Sequence, residues 1–488
     1  MTNSTTTTTA IAVANGDGIG PEIMDATLHI LRKTGAPIEF IPVEIGEKVY
    51  LRGQPAGIDD ETWDIIRNTK AFLKAPITTP QGGGFKSLNV TVRTSMGLYA
   101  NVRPCVSYAP FVETKHPNMD VVIIRENEED LYTGIEYHQT PQTYHALKII
   151  TQPGCEKIVR YAFEYALTNG RKKVTCFTKD NILKLSDGQF RKVFDEIAKE
   201  YPQIENEHWI VDIGAAKLAD TPTAFDVIVL PNLYGDILSD IAAQITGSVG
   251  LAGSANIGPH GAMFEAIHGS APRRAGQNVA NPSGLILASV LMLVHIGLPE
   301  YATLIQNAWL KTIEDGVHTY DIFKKGVSKQ QVGTKEFAEA VIERLGKKPS
   351  QLKPVTYSKE RKAVNVTSMT KAAPSKQKKE TVGVDIFIQS DDEVEKIYEK
   401  LAPLCDPLKL SLIGNRGVRV WPKKMAETYC VDSWRCRFVS KEKGKTITHQ
   451  QIIDLLGRMA AAHIDFTHTE NLCTFDGVPG YTLGSDEQ

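Results

Sequence analysis

Three arginines lie close together in the first third of the chain, and small polar residues accompany them. Arg93, Arg103 and Arg125 fall within about 33 residues, and Ser87 and Asn89 precede them. Arginine can bind a carboxylate through two parallel hydrogen bonds, and serine and asparagine suit a ligand with several oxygens. The alternative is a solvated surface. The residue types favour a site for a small polyanion.

A second candidate site is acidic. Asp236 and Asp240 follow the short apolar run Val227–Leu230 and are spaced i, i+4, which places both carboxylates on one face of a helix. Like charges at this spacing are unfavourable unless a cation or a basic residue lies between them. Carboxylates suit Mg²⁺ or Mn²⁺. An equally good alternative is that Asp236 caps the N-terminus of the helix.

Two loops could hold phosphate groups. The glycine-rich turn at residues 16–20 fails the dinucleotide-binding fingerprint, because the position of the third glycine is occupied by Pro21. A tight turn between a strand and a helix is an equally good interpretation. The second loop begins at His268 and Gly269 and continues to Arg273 and Arg274, whose guanidinium groups could bind a phosphate.

The elements that carry these residues alternate between strand and helix, which predicts an α/β fold. Short apolar runs predict buried strands at Ile11–Ala14, Phe72–Lys74, Val121–Ile124, Val174–Phe177 and Val227–Leu230. Helical stretches are predicted between the strands at Cys155–Thr168 and Asp187–Glu200, and the strongly apolar segment Gly284–His295 predicts a buried helix.

The last third of the chain has a different composition. Residues 351–381 contain eight Lys or Arg and two Asp or Glu, which predicts an exposed basic linker. Residues 382–488 then show the order β-α-β-β-β-α, which is close to a ferredoxin-like α+β module. Ser390 and Glu393 form a capping-box pattern for its first helix, and a hairpin turn is expected around Gly414.

The amino-acid composition limits the classes of protein to which this chain can belong. The 488 residues are 42% hydrophobic and 23% charged with a net charge of −2, which predicts a globular chain of two to four domains. Near-neutral charge does not favour nucleic acid or an anionic membrane. The seven cysteines form no disulfide or zinc pattern. With no leader pattern and no apolar run of about 18 residues, we expect a cytoplasmic enzyme without a membrane span.

The motifs together resemble the isocitrate/isopropylmalate dehydrogenase family. GDGIGPE at residues 16–22, NLYGDILSD at 232–240 and ANIG…HGSAP at 255–272 occur in the family's order, and the resemblance covers about residues 10–345. It implies the family's own non-Rossmann α/β fold. A large dinucleotide-binding domain would span 1–98 and 247–350, and a small clasp domain with the dimer interface would span 99–246.

The module at 382–488 resembles the C-terminal extension of the longer, Thermus-type bacterial subgroup of NADP-dependent isocitrate dehydrogenases. The segments VGVDIFI, WRCRF and FDGVPGY carry this similarity. We expect the module to serve assembly or regulation, and its lack of a metal set or phosphate loop favours assembly.

The resemblance implies that isocitrate is oxidised and decarboxylated to 2-oxoglutarate, a reaction of the tricarboxylic acid cycle. Ser87 and Asn89 would face the third carboxylate of isocitrate, where isopropylmalate enzymes carry apolar residues. Arg93, Arg103 and Arg125 would hold the carboxylates. An NAD-dependent isocitrate or homoisocitrate dehydrogenase is the alternative, and a non-catalytic regulatory subunit is disfavoured because all the catalytic positions are occupied.

The cofactor implied by the resemblance is NADP. An acidic residue after HGSAP is usual in NAD-dependent members, whereas this chain has two arginines that attract a 2′-phosphate. The residues implied to bind the cofactor are Lys74, Thr78, His268, Gly269, Arg273, Arg274, Asn281, Tyr320 and Lys324.

The implied catalytic residues come from two chains. Asp236 and Asp240 would bind Mg²⁺ or Mn²⁺ together with Asp212 of a neighbouring subunit, and Lys179 of that subunit would be the base. Tyr132 would protonate the enolate that remains after CO₂ has left. The resemblance thus implies a homodimer or higher homo-oligomer with shared active sites. On the residues alone, Lys179 could be a surface lysine and Tyr132 a core tyrosine.

Overall fold

The computed structural model describes residues 8–79, 87–358, 376–442 and 444–483. Two compact units emerge from the contacts within the chain. The first contains Met1–Thr133 and Lys148–Thr370, and the second contains Gly134–Leu147 and Lys371–Gln488. The predicted division at 98, 246 and 350 is not resolved by this partition and stays a prediction.

The described strands and helices have the following bounds. The strands are β1 (Thr9–Ala14), β2 (Ile38–Val43), β3 (Phe72–Lys74), β4 (Ala100–Val106), β5 (Asp120–Glu126), β6 (Glu136–Thr140), β7 (Thr143–Ala146), β8 (Lys173–Thr178), β9 (Glu205–Ile210), β10 (Val227–Leu230), β11 (Gly253–Ile257), β12 (Ala262–Ala266), β13 (Val317–His318), β14 (Gln330–Gln331), β15 (Lys379–Gln389), β16 (Leu408–Asn415), β17 (Val418–Trp421), β18 (Ser433–Ser440), β19 (Phe466–Phe475) and β20 (Val478–Pro479). The α-helices are α1 (Gly20–Lys33), α2 (Glu47–Leu51), α3 (Asp60–Asn68), α4 (Leu88–Ser95), α5 (Gln152–Thr168), α6 (Ser186–Ala198), α7 (Val211–Asp220), α8 (Asn232–Ile245), α9 (Ser283–His295), α10 (Pro299–Glu314), α11 (Thr334–Ile342), α12 (Val394–Leu401) and α13 (His449–Ala461).

The first unit is built on a ten-stranded mixed sheet in the order β2-β1-β3-β12-β11-β4-β5-β10-β8-β9. Its outer groups β2-β1-β3-β12 and β5-β10-β8-β9 are parallel, and β11 and β4 join them through antiparallel pairs. Every residue of β10 is buried, as its uninterrupted apolar sequence predicts. The α/β prediction is confirmed.

The predicted buried helix is α9, which packs against β11 and β12. Helix α1 begins directly after the glycine-rich turn, with Pro21 and Glu22 in its first turn and Arg32 and Lys33 in its last turn. These charges are favourable at the positive N-terminal end and the negative C-terminal end of the helix dipole. In the described parts of the chain, no helix has the length and apolar character needed to cross a bilayer.

The start of the predicted linker is only partly exposed, because exposed residues alternate there with partly buried ones. The main-chain amides of Ser350, Gln351 and Leu352 donate to the carboxylate of Glu314, and Val355 packs against the core of the first unit. The following residues 359–375 lie outside the described residues.

The second unit contains a six-stranded antiparallel sheet in the order β17-β16-β18-β15-β19-β20. Its four inner strands and two helices give the ferredoxin-like order β-α-β-β-α-β, with β17 and β20 as additions at the edges. The prediction missed the last inner strand, β19. The hairpin turn lies at Arg416 and Gly417 rather than around Gly414, because β16 continues to Asn415.

The predicted capping box is also wrong. Helix α12 begins only at Val394 with Glu393 at its N-cap, so the Ser390 hydroxyl accepts from the amide of Asp392 instead. The hairpin formed by β6 and β7 belongs to this second unit. The hydroxyl of Thr140 donates to the buried Asp432 at 2.6 Å, and the ring of His145 packs against Phe387.

Candidate active site

The glycine-rich turn after β1 brings three loops of the first unit into contact. Gly16 and Gly18 have positive φ, and a Cβ atom at these positions would lie 2.1 Å from the carbonyl oxygen of Pro76 and 2.0 Å from that of Ser270. Side chains are therefore excluded at both positions. Between them, the carboxylate of Asp17 accepts from the amide of Thr78 at 2.8 Å.

Thr78 and Ser270 extend this junction, because their hydroxyls lie 2.7 Å apart. The turn therefore joins two of the segments that the sequence assigned to the cofactor, the one after β3 and the one after β12. The glycine-rich segment therefore forms a tight turn between a strand and a helix, which was the alternative to a dinucleotide-binding loop.

The second part of the site forms where β4, β5 and α8 meet. Arg103 donates to Ser239 at 2.6 Å and lies 3.4 Å from Asp236 and 3.3 Å from Asp240. A basic residue, one of the two alternatives that the spacing left open, thus lies between the two aspartates. Asp236 lies in the second turn of α8, after Pro231 at the N-cap, so the alternative that it caps the helix is wrong.

Asp236 also receives two further partners. Arg125 forms an ion pair with it, and the hydroxyl of Tyr132 donates to its other oxygen. The Arg125 guanidinium lies 4.8 Å from the centre of the Tyr132 ring and donates to Asn232 at 2.8 and 3.0 Å. The structure therefore brings Tyr132, Arg103, Arg125, Asp236 and Asp240 together.

Arg93 and Lys74 share a buried carboxylate that the sequence did not single out. Glu265 of β12 lies 2.7 Å from the Lys74 ammonium and 3.1 Å from the Arg93 guanidinium, and Asn256 donates to it at 3.0 Å. Burial alone would raise the pKa of Glu265, but Lys74 and Arg93 hold it well below its ordinary value. The only sequence signal was an acidic residue inside an otherwise apolar strand.

Burial and the neighbouring arginines together determine the pKa values in the site. Burial, and then repulsion from Arg103 and Arg93, lower the pKa of Arg125 to about 9. Burial opposes the ionisation of Asp236, yet Arg125 and Arg103 hold its pKa below the ordinary value. At Asp240, burial outweighs Arg103, and the pKa is raised. A bound anion would relieve the repulsion among the arginines.

Polar atoms without partners mark the places left for a ligand. Asn89 and Arg93 lie one turn apart on α4, and the Oδ1 atom of Asn89 and the Nε atom of Arg93 are buried without a hydrogen-bond partner among the described residues. The hydroxyl of Ser87, at the N-cap of this helix, makes no capping hydrogen bond. Buried polar groups are normally paired, so these atoms fit a polar ligand.

Lys179 and Asp212 lie apart from this cluster in the same chain. The Lys179 ammonium lies 2.6 Å from Asp212, which is 67% exposed. Among the described residues, no group of three His, Cys, Asp or Glu is placed to hold a metal ion. Asp212 therefore does not join Asp236 and Asp240 within one chain.

Among the predicted cofactor residues, Arg273, Arg274 and Lys324 are exposed, whereas Asn281 is buried. The Arg274 guanidinium lies 4.6 Å from the centre of the Tyr320 ring, and Arg273 is exposed beside it. Lys324 forms an ion pair with Glu113, and Asn281 donates to Asp321 at 3.0 Å. Glu113 and Asp321 are further residues that the sequence did not single out.

His268 and Gly269 begin the loop that leads to the two arginines. The Nδ1 atom of His268 lies 3.1 Å from the carbonyl oxygen of Gly269, and its Nε2 atom is buried without a partner among the described residues. Burial lowers the pKa of His268, so its imidazole is held in the neutral form. A neutral imidazole whose second ring nitrogen is available can form a hydrogen bond with a polar ligand.

Comparison with known proteins gives a consistent result along almost the whole chain. Residues 10–341 match the family described as isocitrate/isopropylmalate dehydrogenase, and residues 379–487 match the C-terminal domain of bacterial isocitrate dehydrogenase. The isocitrate dehydrogenase [NADP] of Rickettsia bellii is 55% identical over 481 residues, which cover 98% of this chain and 99% of that protein. The enzyme of the same name from Thermus thermophilus is 43% identical over 98% of this chain and 96% of that protein.

A solved structure agrees with these matches. The crystal structure of the TT0538 protein from Thermus thermophilus has a TM-score of 0.92 and 42% sequence identity, and the match covers 98% of this chain and 96% of that chain. The resemblance drawn from the motifs is confirmed. This chain belongs to the isocitrate/isopropylmalate dehydrogenase family and carries the bacterial C-terminal domain.

Proposed function

We propose that this chain catalyses the NADP-dependent oxidation and decarboxylation of isocitrate to 2-oxoglutarate and CO₂, a reaction of the tricarboxylic acid cycle. The observation that carries the proposal is 55% identity over 98% of the chain to an isocitrate dehydrogenase [NADP]. The free cysteines agree with a reducing compartment, and we place the enzyme in the cytoplasm.

The charge of the site supports a tricarboxylate substrate. The interacting cations are Lys74, Arg93, Arg103 and Arg125, and the interacting carboxylates are Glu265, Asp236 and Asp240. Four positive and three negative charges leave the site with one net positive charge. A divalent cation would raise the charge to about three, equal and opposite to that of isocitrate. Ser87 and Asn89 would meet the third carboxylate, since polar atoms facing an isopropyl group would stay unpaired.

Asp236 and Asp240 are the residues of this chain that would hold Mg²⁺ or Mn²⁺, with Asp212 from a second copy. Carboxylate oxygens are the ligands that these ions prefer. When bound, the ion would lower the pKa of the substrate hydroxyl and polarise the forming carbonyl group. Arg103 would hold both aspartates on the same side of α8.

Tyr132 and Lys179 would move the protons. Burial and the hydrogen bond to Asp236 raise the pKa of Tyr132 to about 12, so its hydroxyl keeps its proton at neutral pH and can donate it. Lys179 of a second copy would accept the proton of the substrate hydroxyl. Arg93, Arg103 and Arg125 would hold the carboxylates while the bond to the departing one breaks.

Lys74 and Thr78 would orient the nicotinamide of NADP, which would supply the hydride acceptor when the cofactor is bound. At the other end of the cofactor, Arg273, Arg274 and Lys324 would bind the 2′-phosphate. Guanidinium groups bind phosphate through charge-assisted hydrogen bonds. His268, Gly269, Asn281 and Tyr320 would line the path between the two ends.

The separation of Lys179 and Asp212 from Asp236 supports a homodimer with shared sites. Exposed apolar side chains occur on the same segments: Ile213 of α7 is 53% exposed, and Ile237 of α8 is 52% exposed. Leu185, before α6, is 50% exposed. Such a surface fits a second copy of the chain. The partner's Lys179 and Asp212 would then complete each site.

We further propose that the C-terminal module serves assembly. Its supporting observation is the presence of large exposed side chains in the second unit, where Tyr144, Met425 and Tyr429 are 71%, 62% and 69% exposed. Polar substitutions at these three positions should reduce the particle mass measured by light scattering. An unchanged mass would favour the regulatory alternative.

Initial rates test the reaction itself. Isocitrate and homoisocitrate are each assayed with NADP⁺ and NAD⁺ in the presence of Mg²⁺, and we expect the highest kcat/KM for isocitrate with NADP⁺. A preference for NAD⁺ or for homoisocitrate would instead support the runner-up, an NAD-dependent isocitrate or homoisocitrate dehydrogenase.

Co-expression of two inactive variants tests the sharing of sites. A mixed dimer of Tyr132→Phe and Lys179→Met contains one site with both native residues. Random mixing should therefore restore about a quarter of the wild-type activity. If each site used the residues of one chain, no activity would return.

A further inference from the structure

A buried ion-pair network links the segments that carry Tyr132 and Lys179. The ammonium of Lys148 lies 2.6 Å from Asp187 and 3.5 Å from Asp130, and both aspartates are completely buried. The ring of Tyr234 covers the ammonium at 4.8 Å. A single cation therefore serves two carboxylates that have no access to solvent.

The Asp187 end of the network holds the start of the Lys179 loop. One carboxylate oxygen of Asp187 receives the Lys148 ammonium, and the other accepts from the main-chain amide of Lys179 at 2.7 Å and from the hydroxyl of Tyr234 at 3.1 Å. Lys179 is the first residue after β8. The direction in which its side chain leaves the sheet therefore depends on this carboxylate.

The Asp130 end holds the segment that carries Tyr132. Asp130 has a φ of +68°, which is uncommon for a residue other than glycine, and it lies two residues before Tyr132. Its side chain accepts from the amide of Leu233 in the first turn of α8 at 2.9 Å. One carboxylate thus fixes Tyr132 relative to the helix that carries Asp236.

The charge of Lys148 is required by this arrangement. Burial opposes the charge, but Asp187 and Asp130 together raise the pKa of Lys148 above its ordinary value. Without the ammonium, two buried carboxylates would be left without a counter-ion. The two segments would then shift to let water or other donors reach the aspartates.

We propose that Lys148 is a positioning residue that aligns Lys179 through Asp187 and Tyr132 through Asp130. This proposal rests on the proposed function, in which Tyr132 acts in the site of its own chain and Lys179 acts in the site of a second copy. The Lys148 side chain therefore positions one residue in the active site of its own chain and another in the active site of the second copy.

The first test is steady-state kinetics of Lys148→Met. We expect kcat to fall about 10- to 100-fold, because small displacements of catalytic groups have effects of this size. The KM for isocitrate should change less than about threefold, because the arginines are untouched. Lys148→Arg should restore most of kcat, since a guanidinium can also bridge two carboxylates. Wild-type kcat in Lys148→Met would overturn the proposal.

A matched control separates positioning from general loss of structure. The carboxylate of Asp226 accepts from the main-chain amide of Lys172 at 2.6 Å, just before the other end of β8. Asp226→Asn should keep kcat within about twofold, whereas a fall equal to that of Lys148→Met would contradict a specific role. Particle mass and thermal unfolding establish that each variant is folded. If Lys148→Met does not fold, Lys148→Gln takes its place with the same expectations.

Co-expression tests the two-sided claim. Mixed with Tyr132→Phe or with Lys179→Met, the Lys148→Met chain should not reach about a quarter of the wild-type activity, because its own Tyr132 and its own Lys179 are both displaced. Recovery to that level with either variant would show that only one side is positioned and would overturn the proposal. Failure of Tyr132→Phe and Lys179→Met to complement each other would overturn the shared site instead, so the two failures are distinguishable.

Discussion

The ammonium of Lys74 lies 2.7 Å from the carboxylate of Glu265, and the two side chains are 1% and 7% exposed. Arg93 completes the cluster at 3.1 Å. Two cationic residues assigned to different ligands, the cofactor and the substrate, are thus held by one buried acid. Glu265 therefore connects the residues proposed for the cofactor with those proposed for the substrate.

Glu265→Gln should lower the free energy of unfolding by about 3 kcal/mol, because it leaves two buried cations without a carboxylate. The measurement is urea denaturation at pH 7. Glu339→Gln, at an exposed residue that pairs with His29, is the control and should change the value by less than about 0.5 kcal/mol. Equal effects of the two substitutions would contradict the role of Glu265.

Tyr132→Phe should reduce kcat about 10²- to 10⁴-fold, because the proton donor to the enolate is lost. The arginines that hold the carboxylates remain, so the KM for isocitrate should stay within about threefold of the wild-type value. The raised pKa of Tyr132 keeps its hydroxyl protonated. Deprotonation of Tyr132 should therefore not lower the wild-type rate between pH 8 and about 10. Steady-state rates over this pH range check both expectations.

Arg274→Ala should weaken NADP⁺ binding about 10- to 100-fold, because a charge-assisted hydrogen bond to the 2′-phosphate is lost. The KM for NAD⁺, which has no 2′-phosphate, should be nearly unchanged. Arg67, whose guanidinium lies 5.8 Å from the centre of the Trp63 ring, is a matched exposed arginine, and Arg67→Ala should affect neither cofactor. A parallel loss for both cofactors would argue against contact with the phosphate.

Removal of divalent cations with a chelator should abolish turnover, and Mg²⁺ or Mn²⁺ should restore it. Asp240→Asn should raise the Mg²⁺ concentration for half-maximal rate about tenfold or more, because one anionic ligand is lost. Asp220→Asn, at an exposed position on the neighbouring helix α7, is the control. Full activity after chelation would exclude the proposed role of the ion.

Glu126 gives the fold a pH dependence of its own. Burial raises the pKa of its carboxyl to about 8, although the amides of Glu128 and Glu129 donate to it. The unfolded chain releases this proton near pH 4.3 and the folded chain near pH 8, so stability should fall as the pH rises between these values. Glu126→Gln should reduce this fall by about 1 to 3 kcal/mol in denaturation at pH 5 and pH 8. Glu61→Gln, at an exposed residue, should leave it unchanged.

Local patterns were sufficient for the residues that lie on regular elements. The i, i+4 spacing of Asp236 and Asp240 correctly placed both on one face of α8. The spacing required a cation or a basic residue between them, but it did not identify Arg103 as that residue. A buried acidic residue inside a strand has no comparable spacing pattern in the sequence. Glu265 is explained only by Lys74 and Arg93, which lie more than 170 residues earlier in the chain.

The second unit shows the same limit. Strand β19 was missed because its middle residues, Thr469, Glu470 and Asn471, are exposed and polar, so it lacks the apolar alternation of a half-buried strand. The start of α12 was misplaced because Ser390 forms a local turn with Asp392 before the helix begins. In both places tertiary packing, rather than local preference, determines the element.

The hairpin of β6 and β7 also limits where this chain can be divided. Thr140 and His145 take their packing partners, Asp432 and Phe387, from a segment that begins more than 200 residues later. A chain that ended before residue 371 would keep the hairpin but lose these partners. Any shortened form of the chain must therefore be checked at the hairpin as well as at the new C-terminus, because the two segments share one packing surface.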